Sequence, residues 1–384
     1  MKNSVSFKGL FYINFAVTCG FGALDIFMTL YVIELGAKGF LVGAPAMLYA
    51  LTKIICGLSP SERLLAMGSK KLLIFSLLLF FIAASGYFIT ENLYALILFR
   101  ILHGLGTAVF RPVLTASLSS CTAKDERGRK LGLFDTSFYA ALGIGPAIGG
   151  TVKSIYGFKG LFALVMILSF SALITALFIR IGNIGKPEIS GKSAVFTSRV
   201  IGMNIFIFGR GFGIASFFSF LPLLACSKFA NGEHTAGIAA GLVTLVSSAF
   251  ITFAGRLADR MDIRKLIISG GTGLAAVYCL LPGSSGIISF TALCCAAGFF
   301  SIVTQPACSA ALMEKNTQEN TYRQASVFNS FMNMGYALGA LSSGLIYSAS
   351  GTEQVYYTAA LVGITCSAAS WAVMYSAEKS ESLS

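Results

Sequence analysis

Residues Arg100 to Gly150 read RILHGLGTAVFRPVLTASLSSCTAKDERGRKLGLFDTSFYAALGIGPAIGG. An apolar run opens on Arg100 and carries a second arginine, Arg111, before the charged hinge TAKDERGRK at Thr122 to Lys130. A second apolar run follows, holds Asp135 and ends in GIGPAIGG at Gly150. Each run exceeds the roughly 20 residues that a helix needs to cross the hydrocarbon layer. An ionisable side chain inside such a helix costs roughly 3 kcal/mol or more on insertion scales, so each one calls for a reason. Arg111 and Asp135 stand at equal distances on either side of Ala123. An antiparallel hairpin bent there brings them level.

The rest of the chain has the same character. Of 384 residues 55% are hydrophobic and 11% charged, and the mean hydropathy is +0.78. That excludes a water-soluble domain. The apolar runs are continuous rather than alternating, so they predict helices and not a membrane barrel. Twelve are expected, at 10–34, 39–59, 70–90, 93–118, 129–152, 158–181, 198–225, 236–258, 264–282, 286–312, 322–349 and 355–376. The first is too long for a secretory signal and lacks a small-residue cleavage site, so it reads as a retained helix. The nine cysteines lie almost all in apolar runs without metal spacing and read as packing residues.

A formal net charge of +12 raises nucleic acid as a partner, but the distribution argues for a membrane instead. With the amino terminus inside, only Lys38, Lys153, Lys159 and Lys228 fall in outside loops, and Lys53, Arg100, Arg111 and Arg210 fall within segments. The remaining lysines and arginines occupy the tails and inside loops, as the positive-inside rule requires. Both termini are expected in the cytoplasm, with the chain in a bacterial inner membrane and in contact with its lipids.

The polar stretch 182–197 is the natural boundary between six-helix units at 1–181 and 198–384. The units look like repeats, a common design in secondary transporters. GFG at Gly20 to Gly22 recurs at Gly211 to Gly213, a shift of 191. A shift of 194 sets Phe110-Arg111-Pro112 on Thr304-Gln305-Pro306 and Phe134-Asp135 on Phe328-Asn329. It also sets Gly104, Gly145 and Gly150 on Gly298, Gly339 and Gly344. Charge is thus concentrated in the first unit.

Six ionisable residues are expected within the membrane: Asp25, Lys53, Arg100, Arg111, Asp135 and Arg210. Lys53 lies near an inner helix end and is read as snorkelling. At 1.5 Å per residue Asp25 lies roughly 14 Å from the outer end of segment 1, and Arg100 and His103 roughly 11 and 15 Å from that of segment 4. These three form an outer tier. Asp25 is the best candidate for a proton carrier, being a mid-depth acid whose charge burial disfavours and an arginine restores. His103 shares a helical face with Arg100 and is either a packed neutral ring or a proton group. Arg111 and Asp135 are either a structural salt bridge orienting the hairpin or a substrate contact. Arg210 sits midway along segment 7. The excess of basic over acidic groups favours an anionic or zwitterionic solute. Phe27, Tyr31, Tyr139, Phe217 and Tyr336 are candidates for an amphipathic lining, though most aromatic residues here pack or face lipid.

Three motifs add a resemblance. Arg100-Ile-Leu-His103-Gly104-Leu-Gly106 is similar to the helix 4 motif of proton-coupled drug and metabolite antiporters of the major facilitator superfamily, with His103 in place of a glutamine. Gly132, Ala141, Gly145, Pro146, Gly149 and Gly150 fall on the helix 5 antiporter motif, with Ala141 the departure from glycine. Gly255-Arg256-Leu257-Ala258-Asp259-Arg260, followed by Arg264-Lys265, resembles the inside loop between helices 8 and 9, with Asp262 where glycine is frequent. Its counterpart GLSPSERLLAMGSKK from Gly57 is longer and lacks the aspartate.

The resemblance implies a twelve-helix major facilitator fold: an all-α membrane protein of two pseudo-symmetric six-helix bundles. It implies a role for Arg100 in proton coupling, a latch at Asp259 and Arg260, and a helix 5 seam at the junction of the bundles. Close backbone packing at the seam suits its glycines, and Pro146 lets it bend. The expected function is export of a small organic solute in exchange for protons by alternating access. Asp25, Arg100 and His103 would couple protons. Arg111, Asp135, Arg210, Gln305, Asn329, Tyr31, Tyr139 and Tyr336 would face the substrate. Proton-coupled uptake is the alternative. A membrane sensor or enzyme is disfavoured for want of a soluble domain or a cluster of nucleophiles or metal ligands. No nucleotide loop, cofactor or metal site is read, and a monomer is expected.

Overall fold

The computed structural model describes residues 7–58, 68–120, 122, 127–179, 181, 197–313 and 318–381. Among these the chain makes twelve helical crossings, as expected, and contains no strand. The hinge at 123–126, the loop at 59–67 and the connection at 182–196 lie outside the described residues, as do the last three residues of the tail.

Crossing 1 is not one helix. It runs Phe7–Asp25, breaks at Ile26 and Phe27, and resumes as Met28–Glu34. Crossing 2 enters through a short turn, Gly39–Val42, and continues as Ala44–Leu58. Crossings 3 and 4 are Ser69–Ile89 and Leu93–Ser120. Crossings 5 and 6 form one unit, Arg127–Phe178, interrupted only at Gly157. Gly157 has φ 66° and ψ −168°, a conformation open essentially to glycine alone. The loop expected at 153–157 therefore shrinks to one residue. Crossings 7 to 12 are Ser198–Lys228, Gly232–Ala258, Ile263–Leu280, Ile287–Met313, Gln318–Ser350 and Thr352–Glu381.

Crossing 5 has glycines on two faces. Toward crossing 1, a Cβ on Gly145 would lie 2.5 Å from the Cys19 carbonyl oxygen and one on Gly149 2.6 Å from that of Ala23. Toward crossing 8, a Cβ on Gly150 would lie 2.8 Å from the Glu233 carbonyl oxygen, and Gly237 abuts Pro146 and Gly150. Without side chains to separate them, the backbones of three helices meet along one seam. Crossings 2 and 11 meet similarly, Gly43 against Ala340 and Gly344. Helix direction puts these contacts toward the face opposite the two termini. Gly39 N there donates to Ser348 Oγ at 2.8 Å.

Candidate functional site

The break in crossing 1 places Asp25 at the last turn of its helix, facing crossing 4. Arg100 Nη1 donates to Asp25 Oδ1 at 2.6 Å. The arginine side chain is 3% exposed and the aspartate 33%. The depth argument from sequence put these residues on one tier, and they are in contact. Their cavity is lined by Asp25, Thr29, Tyr49 and Arg100 from the first six crossings and by Ser219 and Tyr336 from the last six.

His103 joins this group indirectly. Its Nδ1 is 3.2 Å from Tyr87 Oη, and the Arg100 guanidinium lies 5.6 Å from the centre of the same tyrosine ring. The imidazole stacks on Phe21 at 3.8 Å, meets Phe80 edge-on at 5.5 Å, and is 4% exposed. Tyr87 thus stands between arginine and histidine, a connection that sequence spacing alone does not reveal. Tyr49, one turn from Lys53 on crossing 2, lies 5.6 Å from His103 between ring centres. Lys53 Nζ sits 5.3 Å from the Tyr49 ring centre. Because Tyr49 is nearer the middle of the crossing, the amine points inward to an aromatic face rather than snorkelling to the helix end, which corrects the expectation for Lys53.

Toward the termini, Arg111 Nη2 donates to Asp135 Oδ1 at 3.1 Å, with side chains 38% and 45% exposed. The expected hairpin register is therefore realised. The guanidinium also lies 3.5 Å from the Phe138 ring centre. Across the repeat, Gln305 and Asn329 are exposed and do not form the matching pair. Gln305 Oε1 instead accepts from Arg210 Nη2 at 2.6 Å, and Ser301 Oγ accepts from it at 3.1 Å. Tyr139 is near enough to interact electrostatically with both Arg111 and Arg210.

The remaining candidates scatter. Tyr31 is buried toward the face opposite the termini, donates to the Thr90 carbonyl at 3.1 Å and packs on Phe158 and Phe162. Phe27 and Phe217 are core residues. A Cβ on Gly132 or Gly255 would meet nothing within 4 Å, so the seam begins beyond Gly132. Asp259 and Arg260 are exposed just beyond crossing 8. The ion pair of that loop is Asp262 with Arg264, and Asp262 Oδ1 also accepts from Arg264 N at 2.8 Å, capping crossing 9. Those contacts hold the Asp262 carboxyl below the usual range, with the Arg264 side-chain hydrogen bonds the leading cause.

One cluster escaped the sequence reading. Lys153, counted there as a loop lysine, is 10% exposed. It pairs with Glu34 of crossing 1 at 3.6 Å and closely with Glu233 of crossing 8. Its partners are too remote in sequence for spacing to flag.

This arrangement of two sets of six crossings around a shared charged cavity can be compared with known proteins. The model of the Major Facilitator Superfamily matches residues 10–230 and 203–383. The chain belongs to that superfamily. It is an integral, multi-pass membrane protein of transport rather than an enzyme. A multi-drug resistance efflux pump, PmrA, of Streptococcus pneumoniae is 24% identical over 373 residues, covering 92% of each chain. Its homolog from Lactococcus lactis is 25% identical over 378 residues, covering 91% of this chain and 88% of the relative. Among solved structures, a bacterial homolog of the human lysosomal transporter Spinster aligns with a TM-score of 0.77 at 12% identity, covering 97% of each chain. A D-xylose-proton symporter aligns at 0.73 and 15% identity, covering 95% of this chain and 97% of that one. These likenesses establish the major facilitator fold.

Proposed function

We propose that this superfamily member exports a small organic solute, anionic or zwitterionic and of metabolite or drug size, in exchange for protons. The observation that carries the reading is the Asp25–Arg100 pair lining a cavity to which both sets of crossings contribute. A carboxylate with one third of its side chain exposed is reachable by a proton, and its arginine keeps the charged form tolerable. A proton and the cationic end of a zwitterionic solute compete for the Asp25 carboxylate while Arg100 receives the solute's anionic end, so the two ligands exclude one another and exchange. Tyr87 and His103 hold that arginine from behind. The surplus of basic groups favours the anionic class, and the efflux pumps among the relatives support export over uptake.

In this reading units 1–181 and 198–384 rock about the crossing 5 seam, with 182–197 as a cytoplasmic linker and both termini in the cytoplasm of a bacterial plasma membrane. Arg111 and Asp135 meet the solute at the cytoplasmic entrance, with Tyr139, Arg210, Gln305, Asn329 and Tyr336 along its path. Gly145, Pro146, Gly149 and Gly150 are the moving interface, and Asp259 with Arg260 the inner latch. Lys153 with Glu34 and Glu233 is the lock of the outer face, broken once per cycle. The protein works as a monomer.

The test is proton flux into proteoliposomes against organic anions, amino-acid derivatives and cationic dyes. Asp25→Asn is expected to abolish proton-driven flux while solute binding stays measurable. Coupled transport at the wild-type rate by that variant overturns the assignment.

A further inference from the structure

The ends of crossings 1, 3 and 6 leave a groove on the face opposite the termini. It measures about 380 Å³, within the roughly 300–1,000 Å³ of small-molecule sites. Glu34 enters it from the end of crossing 1, Glu91 from the link between crossings 3 and 4, and Tyr156 and Lys159 from either side of the Gly157 turn. Tyr31, which the proposed solute path does not use, and Phe88 form part of its wall. The one-residue turn that the positive φ of Gly157 permits brings Lys159 back to Glu91, a meeting that sequence spacing does not reveal.

The two carboxylates are loosely engaged. Tyr31 is near enough to interact electrostatically with both, yet its hydroxyl donates to the Thr90 carbonyl. Glu91 pairs with Lys159 at 3.3 Å, but the side chains are 73% and 74% exposed, and a pair so screened by water holds weakly. Glu34 Oε1 stands 3.6 Å from Lys153 Nζ, beyond hydrogen-bond distance, and Lys153 has a closer partner in Glu233. Neither carboxylate accepts a hydrogen bond from a described residue. Two carboxylates and one ammonium line the groove, so it is short of one positive charge.

The setting narrows the occupant. Ile89, Ile155 and Tyr156, beside the groove or on its rim, are 79%, 64% and 70% exposed. In a membrane-spanning chain such isoleucines face acyl chains, and a tyrosine at a helix end sits at the headgroup level. A ligand arriving from that side brings an apolar tail and a polar head. A purely anionic head meets two carboxylates and is repelled, and a quaternary ammonium has no N–H to give them. A primary ammonium donates three hydrogen bonds, each strengthened by a carboxylate acceptor. A phosphate beside that ammonium takes over Lys159 as Glu91 turns to the ammonium.

We propose that this groove binds the headgroup of an aminophospholipid in the leaflet opposite the termini, its primary ammonium held by Glu34 and Glu91 and its phosphate by Lys159. The site needs no transported solute and no coupled proton, so it stands or falls independently of the export reading.

The test is thermal unfolding of the purified full chain in detergent micelles titrated with short-chain phosphatidylethanolamine, phosphatidylcholine or phosphatidylglycerol of identical acyl chains. The wild type is expected to gain stability along a saturable curve with phosphatidylethanolamine, half-saturating at a concentration roughly tenfold below that of the other two. Glu91→Gln, on an exposed link outside the proposed transport machinery, should raise that concentration roughly tenfold. Equal curves for phosphatidylethanolamine and phosphatidylcholine overturn the proposal without need of a variant, as does an unchanged curve in Glu91→Gln. Soluble phosphoethanolamine carries the same two charges without acyl chains. Protection by it at the concentration that suffices for the lipid assigns the groove to a free ammonium compound and overturns the lipid as its occupant.

Discussion

The two sets of six crossings share a plan and differ in where charge is compensated. The 191-residue shift sets Ser216 against Asp25, and the 194-residue shift sets Cys294 and Ala297 against Arg100 and His103. All three replacements are buried. Ser216 Oγ accepts from Ser343 Oγ at 2.8 Å where the first set has an ion pair. Nearer the termini the first set holds Arg111 with Asp135, and the second holds Gln305 turned to Arg210. The same scaffold thus stands with or without internal ion pairs, so the pairs of the first set are not there merely to build it.

That contrast can be broken most severely at Asp25. If proton chemistry belongs to the first set, Asp25→Asn loses proton-driven flux, and adding Ser216→Asp does not restore it. A carboxylate at 216 faces the Ser343 hydroxyl instead of an arginine, and an unpaired buried charge costs roughly 3–5 kcal/mol, so expression should also fall. Flux restored by the double variant would show the two sets to be interchangeable.

The tie between the sets comes next. Lys153→Glu sets three carboxylates together and should open the face opposite the termini. Lys153→Glu with Glu233→Lys should close it again in part. Spin labels at Lys38 and Ser350, with native cysteines replaced, read the opening as a longer distance between the sets. No change in distance removes Lys153 from the lock.

A smaller effect is expected at the half-exposed pair. Reversal as Arg111→Asp with Asp135→Arg should recover about 1 kcal/mol of what the single changes lose, the scale of a solvent-screened pair. Rescue measured by thermal unfolding and transport together would separate a structural pair from a solute contact. The smallest effect is confined to one loop of the second set. Asp262→Ala should cost about 1 kcal/mol as a lost helix cap. Because folding lowers the Asp262 pKa, its stabilisation is complete above the unfolded value of about 3.9 and fades as pH falls through the lower folded value. An acid unfolding limb identical in wild type and variant would argue against that contribution.

Much of this was legible in the sequence because a membrane imposes depth. Counting residues from helix ends was enough to bring Asp25 to Arg100 and Arg111 to Asp135. Depth says nothing about rotation, so the Tyr87 bridge to His103 and the inward turn of Lys53 stayed hidden. Contacts between remote helices were equally invisible: Lys153 sits at a helix end, where charge is ordinary, and only packing brings Glu233 to it. The repeat comparison found Gln305 but not its partner, because the shift carries positions and not new pairings. The break at Ile26 has no proline to mark it, and its two halves read as one apolar run.

That break gives Asp25 a second meaning. The aspartate closes the helix Phe7–Asp25, and the carboxyl end of a helix carries the negative pole of its aligned peptide dipoles. Carboxylate and helix end repel one another, and Arg100 holds the carboxylate in place. A proton arriving at Asp25, as proposed, would remove both that repulsion and the carboxylate's hold on the guanidinium. The joint between Phe7–Asp25 and Met28–Glu34 is in this sense a mechanical element whose set point is written in charge: in the proposed cycle, one proton would alter how tightly the end of Phe7–Asp25 is tied to crossing 4.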